Sequence, residues 1–203
     1  MDIGQNIKGL IFDFDGTLFD LVIDWEALSQ KMQQSFGMDS LAELDDVAPD
    51  KRQQVIDVIG AAEQEGVQNG QPKPDALDVL RNLSQQYKVA IVSRNNRATI
   101  LAGLKKIRFA QDILVLARED VRFTKPHPEA LQSALKQFEL EPSQVLVIGD
   151  TYHDVNAAHA AGLRAVVVKN PKLTFVPEGA DAYIDTLTDL QTLLKHGGAH
   201  DQI

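Results

Sequence analysis

The sequence predicts a Rossmann-like α/β fold, in which a mostly parallel β-sheet is covered by helices and a small helical cap is inserted after the first strand. Three observations lead to this prediction. From Pro74 onwards, short apolar runs alternate with stretches of helical period. The first apolar run, from Ile7 to Phe14, is typical of a strand buried on both faces. Between about Leu21 and Gln71, only helical periods occur.

The first predicted strand ends in two carboxylates. Asp13 and Asp15 are two residues apart, so their side chains point to the same side of an extended chain. Burying two aspartates is unfavourable unless something offsets their charge. Gly16 then permits a sharp turn, and Thr17 offers a hydroxyl group directly after it. This combination indicates a site for a divalent cation and an anionic ligand.

The helical stretch after this loop is predicted to form a separate small cap. Apolar residues recur at spacings of three and four as far as Gly37, which is expected to end a first helix. A second helix is predicted after Pro49, and a break rich in turn residues is expected from Gly66 to Pro74. We therefore predict a helical cap over residues 20–72 and a core domain over residues 1–19 and 73–203. Two further helices of a single domain are the alternative.

The remaining strands and helices are predicted from the short apolar runs and the stretches of helical period that alternate after Pro74. Asn95 is expected to cap one helix, Pro128 to begin another and Gly162 to end a third. Strands are predicted over residues 88–93, 112–117, 144–150, 164–168 and 181–185. Helices are predicted over residues 75–86, 95–106, 128–138, 151–161 and 187–194. The last strand is expected at an edge of the sheet, and the tail from His196 is expected to be loosely held.

Composition limits the classes of protein to which the chain can belong. It has 203 residues, a formal net charge of -9 and no cysteine. The negative charge disfavours nucleic-acid binding, and the lack of cysteine excludes thiolate metal sites in this sequence. No apolar run reaches the length of a membrane span, and residues 1–6 lack the basic segment of a signal peptide. We therefore expect a cytoplasmic monomer that binds neither nucleic acid nor a membrane.

Polar side chains follow the strands that are predicted to lie near the centre of the sheet. In sheets of this kind, ligands bind at the carboxyl ends of the strands. Those ends carry carboxylates, one hydroxyl and one ammonium group, from Asp13, Asp15, Ser93, Lys125, Asp150 and Asp154. Each residue alone has an ordinary explanation as a helix cap or a surface group. Together, the carboxylates would repel one another unless a cation lay among them, and such oxygen ligands favour Mg²⁺.

With these residues identified, the sequence resembles the haloacid dehalogenase superfamily, in particular its phosphatases similar to phosphoglycolate phosphatase and β-phosphoglucomutase. The DxDGT motif of that family is matched from Asp13 to Thr17, and its GDxxxD motif from Gly149 to Asp154. Its serine or threonine is matched by Ser93, and its lysine by Lys125. The order and spacing of the motifs agree over residues 7–168.

The resemblance implies a Mg²⁺-dependent phosphatase for a small phosphorylated metabolite, such as phosphoglycolate or a sugar phosphate. It implies that Asp13 is the nucleophile, which forms an aspartyl phosphate. It implies that Asp15 protonates the leaving alcohol and then activates water. The implied metal ligands are Asp13, the backbone carbonyl of Asp15, Asp150 and Asp154, the last either directly or by orienting the others.

The resemblance also implies which residues bind the substrate phosphate, namely Ser93 and Lys125. Arg94 stands where many members of the family have asparagine, and it is a further candidate for binding an anionic group of the substrate. An exposed arginine in the first turn of a helix is the alternative. Trp25 likewise has two interpretations, as a residue of the substrate pocket or as a core residue.

Two other functions remain open from the sequence. A phosphotransferase similar to β-phosphoglucomutase would use the same aspartates but would keep water away from the aspartyl phosphate. A non-enzymatic receiver domain also combines acids, a hydroxyl and a lysine on a parallel sheet. A receiver, however, carries its acid pair and its phosphate acceptor on different strands, whereas Asp13 and Asp15 share one loop. A dehalogenase would need no general acid at the position of Asp15, so the presence of this aspartate favours phosphoryl transfer over dehalogenation.

Overall fold

The computed structural model describes residues 3–38, 47 and 49–197. The strands of these residues are β1 (Gly9–Phe12), β2 (Phe19–Asp20), β3 (Gln71–Pro72), β4 (Lys88–Val92), β5 (Leu114–Leu116), β6 (Val145–Gly149), β7 (Arg164–Val168) and β8 (Ala182–Ile184). The helices are α1 (Trp25–Phe36), α2 (Pro49–Asn69), α3 (Ala76–Ser84), α4 (Arg97–Ile107), α5 (Glu129–Phe138), α6 (Tyr152–Ala160) and α7 (Leu187–Gly197).

Six of the strands form one parallel sheet in the order β5-β4-β1-β6-β7-β8. β1 lies at the centre, and its last residue, Phe12, is paired with Ile91 of β4 and Ile148 of β6. The strand order reverses beside β1, which is where a crevice for ligands forms in folds of this type. The predicted Rossmann-like parallel sheet is therefore confirmed, with β8 at one edge as expected.

The core lies on both faces of this sheet because side chains along β1 alternate in direction. Leu10 and Phe12 belong to the apolar cluster on the first face, which includes Leu80, Ile100 and Leu190 from α3, α4 and α7. Ile11 belongs to the cluster on the second face, which includes Leu131 and Ala158 from α5 and α6. With helices on both faces, every residue of β1 is buried, as the continuous apolar run predicts.

Helices α1 and α2 lie between β2 and β3, which pair antiparallel with each other. We call these two helices the two-helix segment. They pack together around their own cluster of buried side chains, Leu28, Met32, Met38, Val55 and Ile59. Both helices were predicted, and Gly37 ends α1 with a positive φ of 70°. Whether the segment is a separate cap over residues 20–72 stays a prediction.

The ends of three helices differ from the predictions. α1 begins at Trp25 rather than near Leu21, because the Asp24 carboxylate accepts a hydrogen bond from the Ala27 amide at 2.9 Å and caps the helix. α2 continues through the predicted break to Asn69. The expected cap of α4 by Asn95 is wrong: Asn96 accepts the capping hydrogen bond from the amide of Thr99, at 2.8 Å.

Other boundaries agree with the sequence more closely. β7 has the predicted bounds, and Gly162 follows α6 with a positive φ of 75°. Pro128 occupies the capping position just before α5. The predicted loose tail begins at His196, which is still within α7, and the rest of it lies outside the described residues from 198 onwards. Within the described residues, no helix combines the length and the apolar character needed to cross a membrane.

Candidate active site

The loop after β1 brings Asp13 and Asp15 to the carboxyl end of the central strand. Asp13 continues the pairing of β1, since its amide donates to the carbonyl of Ile148 at 2.8 Å. The chain then turns at Gly16, where φ is +85°, and the Gly16 amide donates to the Phe19 carbonyl at 2.7 Å. Backbone hydrogen bonds at Asp13 and at Gly16 therefore fix the stretch of chain that carries the two carboxylates.

Asp15 is an acid that holds its proton more strongly than an ordinary aspartate. Burial raises its pKa to about 7, although a hydrogen bond from the Leu21 amide at 2.9 Å favours the ionised form. The charge of Asp13 adds to the increase in the pKa. A carboxyl group with a pKa near neutrality can both donate and accept a proton during a reaction at physiological pH.

Lys125 links the loop after β1 to β4 and to α6. Its ammonium group donates to the Asp13 carboxylate at 2.8 Å, to the Val92 carbonyl at 2.9 Å and to the Asp154 carboxylate. Burial favours the neutral amine, but the two carboxylates outweigh that effect and raise the pKa of Lys125. Burial also raises the pKa of Asp13, and Lys125 opposes this shift. The lysine thus remains charged and neutralises part of the negative charge around Asp13.

Asp154 has both of its carboxylate oxygens occupied by the protein. One oxygen accepts the hydrogen bond from Lys125, and the other accepts from the amide and the hydroxyl of Thr151 at 3.0 and 2.7 Å. Burial alone would raise its pKa, but Lys125 and Thr151 keep the pKa below its ordinary value. Asp154 is therefore an ionised carboxylate that orients Lys125 and the start of α6.

Asp150 sits opposite Asp13 and is 2% exposed. It accepts hydrogen bonds from the Asn170 amide at 2.7 Å and from the Thr17 hydroxyl at 3.3 Å. Burial, followed by the negative charges of Asp13 and Asp154, raises its pKa to about 8. Its ionised form therefore requires a positive charge nearby that the surrounding side chains do not fully supply.

A group of three carboxylates in this site fits a divalent cation. Asp13, Asp150 and Asp154 each have a carboxylate oxygen within 4.8 Å of the others. Burial raises the pKa of Asp13 and of Asp150, and the charge of Asp154 adds to both increases, so a bound cation would favour the ionised forms. Hard oxygen donors are the ligands that Mg²⁺ prefers. The side chain of Asp15 is not in this group, so its predicted contribution would come from the backbone carbonyl.

A cavity of about 220 Å³ opens onto these residues. The predicted site residues that line it are Asp13, Asp15, Ser93, Arg94 and Lys125. The two-helix segment closes the other side of the cavity with Trp25, Ile59 and Glu63. Trp25 is 50% exposed, so its interpretation as a core residue is wrong and its placement in the pocket is correct.

Ser93 and Arg94 follow β4 and differ in their surroundings. Ser93 is buried, and its hydroxyl donates to the side-chain oxygen of Asn95 at 2.9 Å. Arg94 is half-buried. His153 also lines the cavity, and burial together with the charge of Arg94 lowers its pKa to about 4, so it is neutral at physiological pH. The structure thus brings the serine and the arginine to the cavity that contains Asp13.

Three groups of this site were missed by the sequence reasoning. Asn170 donates a hydrogen bond to Asp150, and nothing but its position two residues after the end of β7 could have indicated it. Glu63 forms an ion pair with Arg118 at 2.9 Å, and both side chains are buried. A signal for Glu63 was present, because it lies four residues beyond Ile59 and eight beyond Val55 on the buried stripe of α2.

Comparison with known proteins finds matches over much of the chain. The family model of the haloacid dehalogenase-like hydrolases matches residues 10–168. A pyrophosphatase, PpaX of Bacillus mycoides, is 33% identical over 123 residues, which are 58% of this chain and 57% of that protein. The chain therefore matches little more than half the length of this curated relative.

Solved structures show the same fold. A hydrolase from Pseudomonas syringae is 21% identical with a TM-score of 0.73, and the match covers 93% of this chain and 98% of that one. CbbY from Rhodobacter sphaeroides, solved in complex with phosphate, is 20% identical with a TM-score of 0.65, over 93% and 99% of the two chains. On the family match, which spans the sheet and its loops from β1 to β7, this chain belongs to the haloacid dehalogenase-like hydrolases.

Proposed function

We propose that this chain is a Mg²⁺-dependent phosphatase that hydrolyses a small phosphomonoester through an aspartyl phosphate on Asp13. The observation that carries the proposal is the pair of aspartates on one loop with different hydrogen-bond partners. Asp13 contacts a charged lysine at 2.8 Å, whereas burial raises the pKa of Asp15 to about 7. A nucleophile and a proton donor are thus available in the same cavity.

In the first step, a carboxylate oxygen of Asp13 attacks phosphorus and the bond to the substrate alcohol breaks. The leaving oxygen takes the proton of Asp15, so a neutral alcohol departs. Lys125 offsets the charge that gathers around Asp13 and the phosphoryl group. The buried hydroxyl of Ser93 and the guanidinium of Arg94 are the proposed ligands of the phosphoryl oxygens.

In the second step, the ionised Asp15 takes a proton from a water molecule, whose oxygen attacks phosphorus and frees Asp13. Asp13, Asp150 and the backbone carbonyl of Asp15 are the proposed ligands of Mg²⁺, with Asp154 orienting Lys125. When bound there, Mg²⁺ would supply positive charge against the repulsion between the carboxylate and the phosphoryl group.

The division of the chain supports a role for the two-helix segment in choosing the substrate. We propose that residues 20–72 form a cap over a core of residues 1–19 and 73–203. Its helices have their own apolar cluster, and Trp25, Ile59 and Glu63 form one wall of the cavity. The cavity of about 220 Å³ suits a small metabolite rather than a polymer.

The name of the curated relative adds pyrophosphate, a phosphoric anhydride, to the compounds that should be tested beside the phosphomonoesters. The experiment is hydrolysis of p-nitrophenyl phosphate with and without Mg²⁺, followed by a panel that includes phosphoglycolate, sugar phosphates and pyrophosphate. We expect activity that requires Mg²⁺ and disappears in Asp13→Asn. Asp78→Asn, which makes the same change at an exposed position of α3, should keep its activity. Activity that survives in Asp13→Asn would disprove the proposal.

A further inference from the structure

Glu63 is a buried residue of the two-helix segment, and among the described residues its carboxylate accepts hydrogen bonds only from groups outside that segment. One oxygen accepts from the side-chain amide of Asn95 at 3.2 Å and from the guanidinium of Arg118 at 3.1 Å. The other accepts from the backbone amide of Asn96 at 2.9 Å and from Arg118 at 2.9 Å. Glu63 is 2% exposed and Arg118 6% exposed, so the pair is largely removed from water.

A buried ion pair of this kind contributes little net stability. Removal of two charges from water is costly, and the attraction between them often only balances that cost. In some proteins, a buried polar or ionic group specifies one particular packing geometry. Here the geometry joins α2 to residues 93–96, the loop that contains the proposed phosphate ligand Ser93.

A chain of hydrogen bonds leads from Glu63 to the hydroxyl of Ser93. The side-chain nitrogen of Asn95 donates to Glu63, which fixes the orientation of the amide. The side-chain oxygen of Asn95 therefore faces Ser93 and accepts from its hydroxyl at 2.9 Å. The backbone amide of Asn95 donates back to the Ser93 hydroxyl oxygen at 3.3 Å. All of these side chains are buried, and low exposure to water strengthens the hydrogen bonds among them.

We propose that Glu63 is a positioning residue that couples docking of the two-helix segment to phosphate binding, through Asn95 and Ser93. The proposal rests on the proposed function, since it takes Ser93 as a ligand of the substrate phosphate. Because such coupling is reciprocal, a phosphate group bound by the Ser93 hydroxyl also holds the two-helix segment against the core. Glu63 thus links closure of the cavity to the group on which the reaction acts.

The charge of Glu63 and its positioning role predict opposite effects on phosphate affinity when Glu63 is replaced. Glu63 is an acid that lines the cavity, and it contributes to the raised pKa of Asp15. If it acted only through its charge, its removal would strengthen the binding of an anion. If it acts by positioning Ser93, its removal weakens the binding. The sign of the change therefore separates the two explanations.

The test is a titration of the protein with inorganic phosphate in the presence of Mg²⁺. Binding is measured by calorimetry and by tryptophan fluorescence. Trp25 is the single tryptophan of the chain and lies on the cavity wall, so its emission reports on the two-helix segment. We expect Glu63→Gln to weaken phosphate binding roughly tenfold, as for the loss of a hydrogen bond to a charged group. Glu65→Gln, an exposed change on the same helix, should leave the affinity unaltered.

A double-mutant cycle with Ser93→Ala tests the path of the effect. If Glu63 acts through Ser93, Glu63→Gln should change phosphate affinity little when Ser93 is already alanine. Multiplicative losses in the double variant would overturn the proposal, as would tighter phosphate binding by Glu63→Gln. Should Glu63→Gln not fold because Arg118 loses its partner, Asn95→Ala replaces it in the cycle with the same expectations, since it leaves the ion pair intact.

The outcomes also separate this proposal from the proposed function. If the wild-type protein binds no phosphate, both proposals fall. If it binds phosphate and Ser93→Ala weakens the binding while Glu63→Gln and Asn95→Ala do not, only the positioning role of Glu63 falls.

Discussion

Asp13 and Asp15 show how two identical side chains on one loop acquire different properties. Asp13 lies beside the ammonium group of Lys125, which opposes the effect of burial on its pKa. The carboxylate of Asp15 has no such cation among its described partners and accepts a hydrogen bond from a backbone amide at 2.9 Å. Burial raises the pKa of both groups, that of Asp15 to about 7, but of the two only Asp13 has a cation at hydrogen-bonding distance that favours its ionised form. The difference in surroundings supports the division of roles that we propose.

Asp15→Asn should separate the two steps of the proposed reaction. Without a general acid, turnover of an alkyl phosphate should fall roughly 10²- to 10⁴-fold. p-Nitrophenolate leaves without a proton, so formation of the aspartyl phosphate from p-nitrophenyl phosphate should be slowed far less. Its hydrolysis lacks a base, however, and phosphorylated protein should accumulate, which mass spectrometry of acid-quenched samples measures.

The control for this experiment is Asp13→Asn, which should form no phosphorylated protein with either substrate. Equal losses of rate for the alkyl and the nitrophenyl ester in Asp15→Asn would argue against a general acid at this position.

Gly16→Ala should abolish activity through the geometry of the loop. The residue has a φ of +85°, and an added Cβ would lie 2.1 Å from a carboxylate oxygen of Asp150. Gly37→Ala is the matched control, since φ is +70° there but no described atom lies within 4 Å of the added carbon. Both variants should lose about 1 kcal/mol of unfolding free energy from backbone strain. In hydrolysis assays and urea titrations, only Gly16→Ala should also lose turnover, and retained turnover would contradict the close approach to Asp150.

At the scale of secondary structure, α2 is held at its carboxyl end by a lysine from α4. The ammonium group of Lys106 donates to the carbonyls of Val67, Gln68 and Gly70 at 3.0, 2.7 and 2.9 Å. The last carbonyls of a helix have no partners within the helix, and a cation there also favours the helix dipole. Lys106 therefore fastens the end of the two-helix segment to the core, beside β3.

Lys106→Met should reduce the unfolding free energy by about 1 kcal/mol, because the carbonyls at the end of α2 lose their charged donor. Urea denaturation measures this difference. Lys105→Met changes the neighbouring exposed lysine of α4 and should have little effect. Equal stability of the two variants would show that the three hydrogen bonds do not contribute.

At the scale of the whole molecule, the site joins strands that are far apart in the sequence. Asp13 follows β1, Asp150 follows β6, and Lys125 comes from the loop before α5. The native state thus holds three carboxylates within 4.8 Å of one another, which the unfolded chain does not. A cation bound there would stabilise the folded protein alone.

Mg²⁺ should therefore raise the melting temperature of the wild-type protein. For a ligand at about 100 times its Kd, the gain in unfolding free energy is about 2.7 kcal/mol. Asp150→Asn should lose this gain, whereas Asp78→Asn on the surface of α3 should keep it. Differential scanning calorimetry with Mg²⁺ and with a chelator measures the shift. An identical shift in wild type and Asp150→Asn would place the cation elsewhere.

Several features of the fold were predictable because they depend on nearby residues. The period of apolar side chains identified β1, β4 and β7, and α3 and α5, since a buried face repeats within each element. Helix ends were less predictable where neighbouring residues could play the same role. Asn95 and Asn96 are both suited to cap α4, and the contact of Asn95 with Glu63 leaves the capping to Asn96.

The sequence by itself determined the parallel sheet and the grouping of polar residues at its strand ends, because parallel strands end on the same side. Tertiary structure alone decided which partners those residues have. Glu63 and Arg118 are 55 residues apart in the sequence, and Asp150 and Asn170 are 20 apart. The local spacing of apolar residues cannot predict contacts over such separations. The same packing sets the burial that raises the pKa of Asp15. Burial and charge depend on the whole fold, so the protonation of the site could be derived only once the chain was folded.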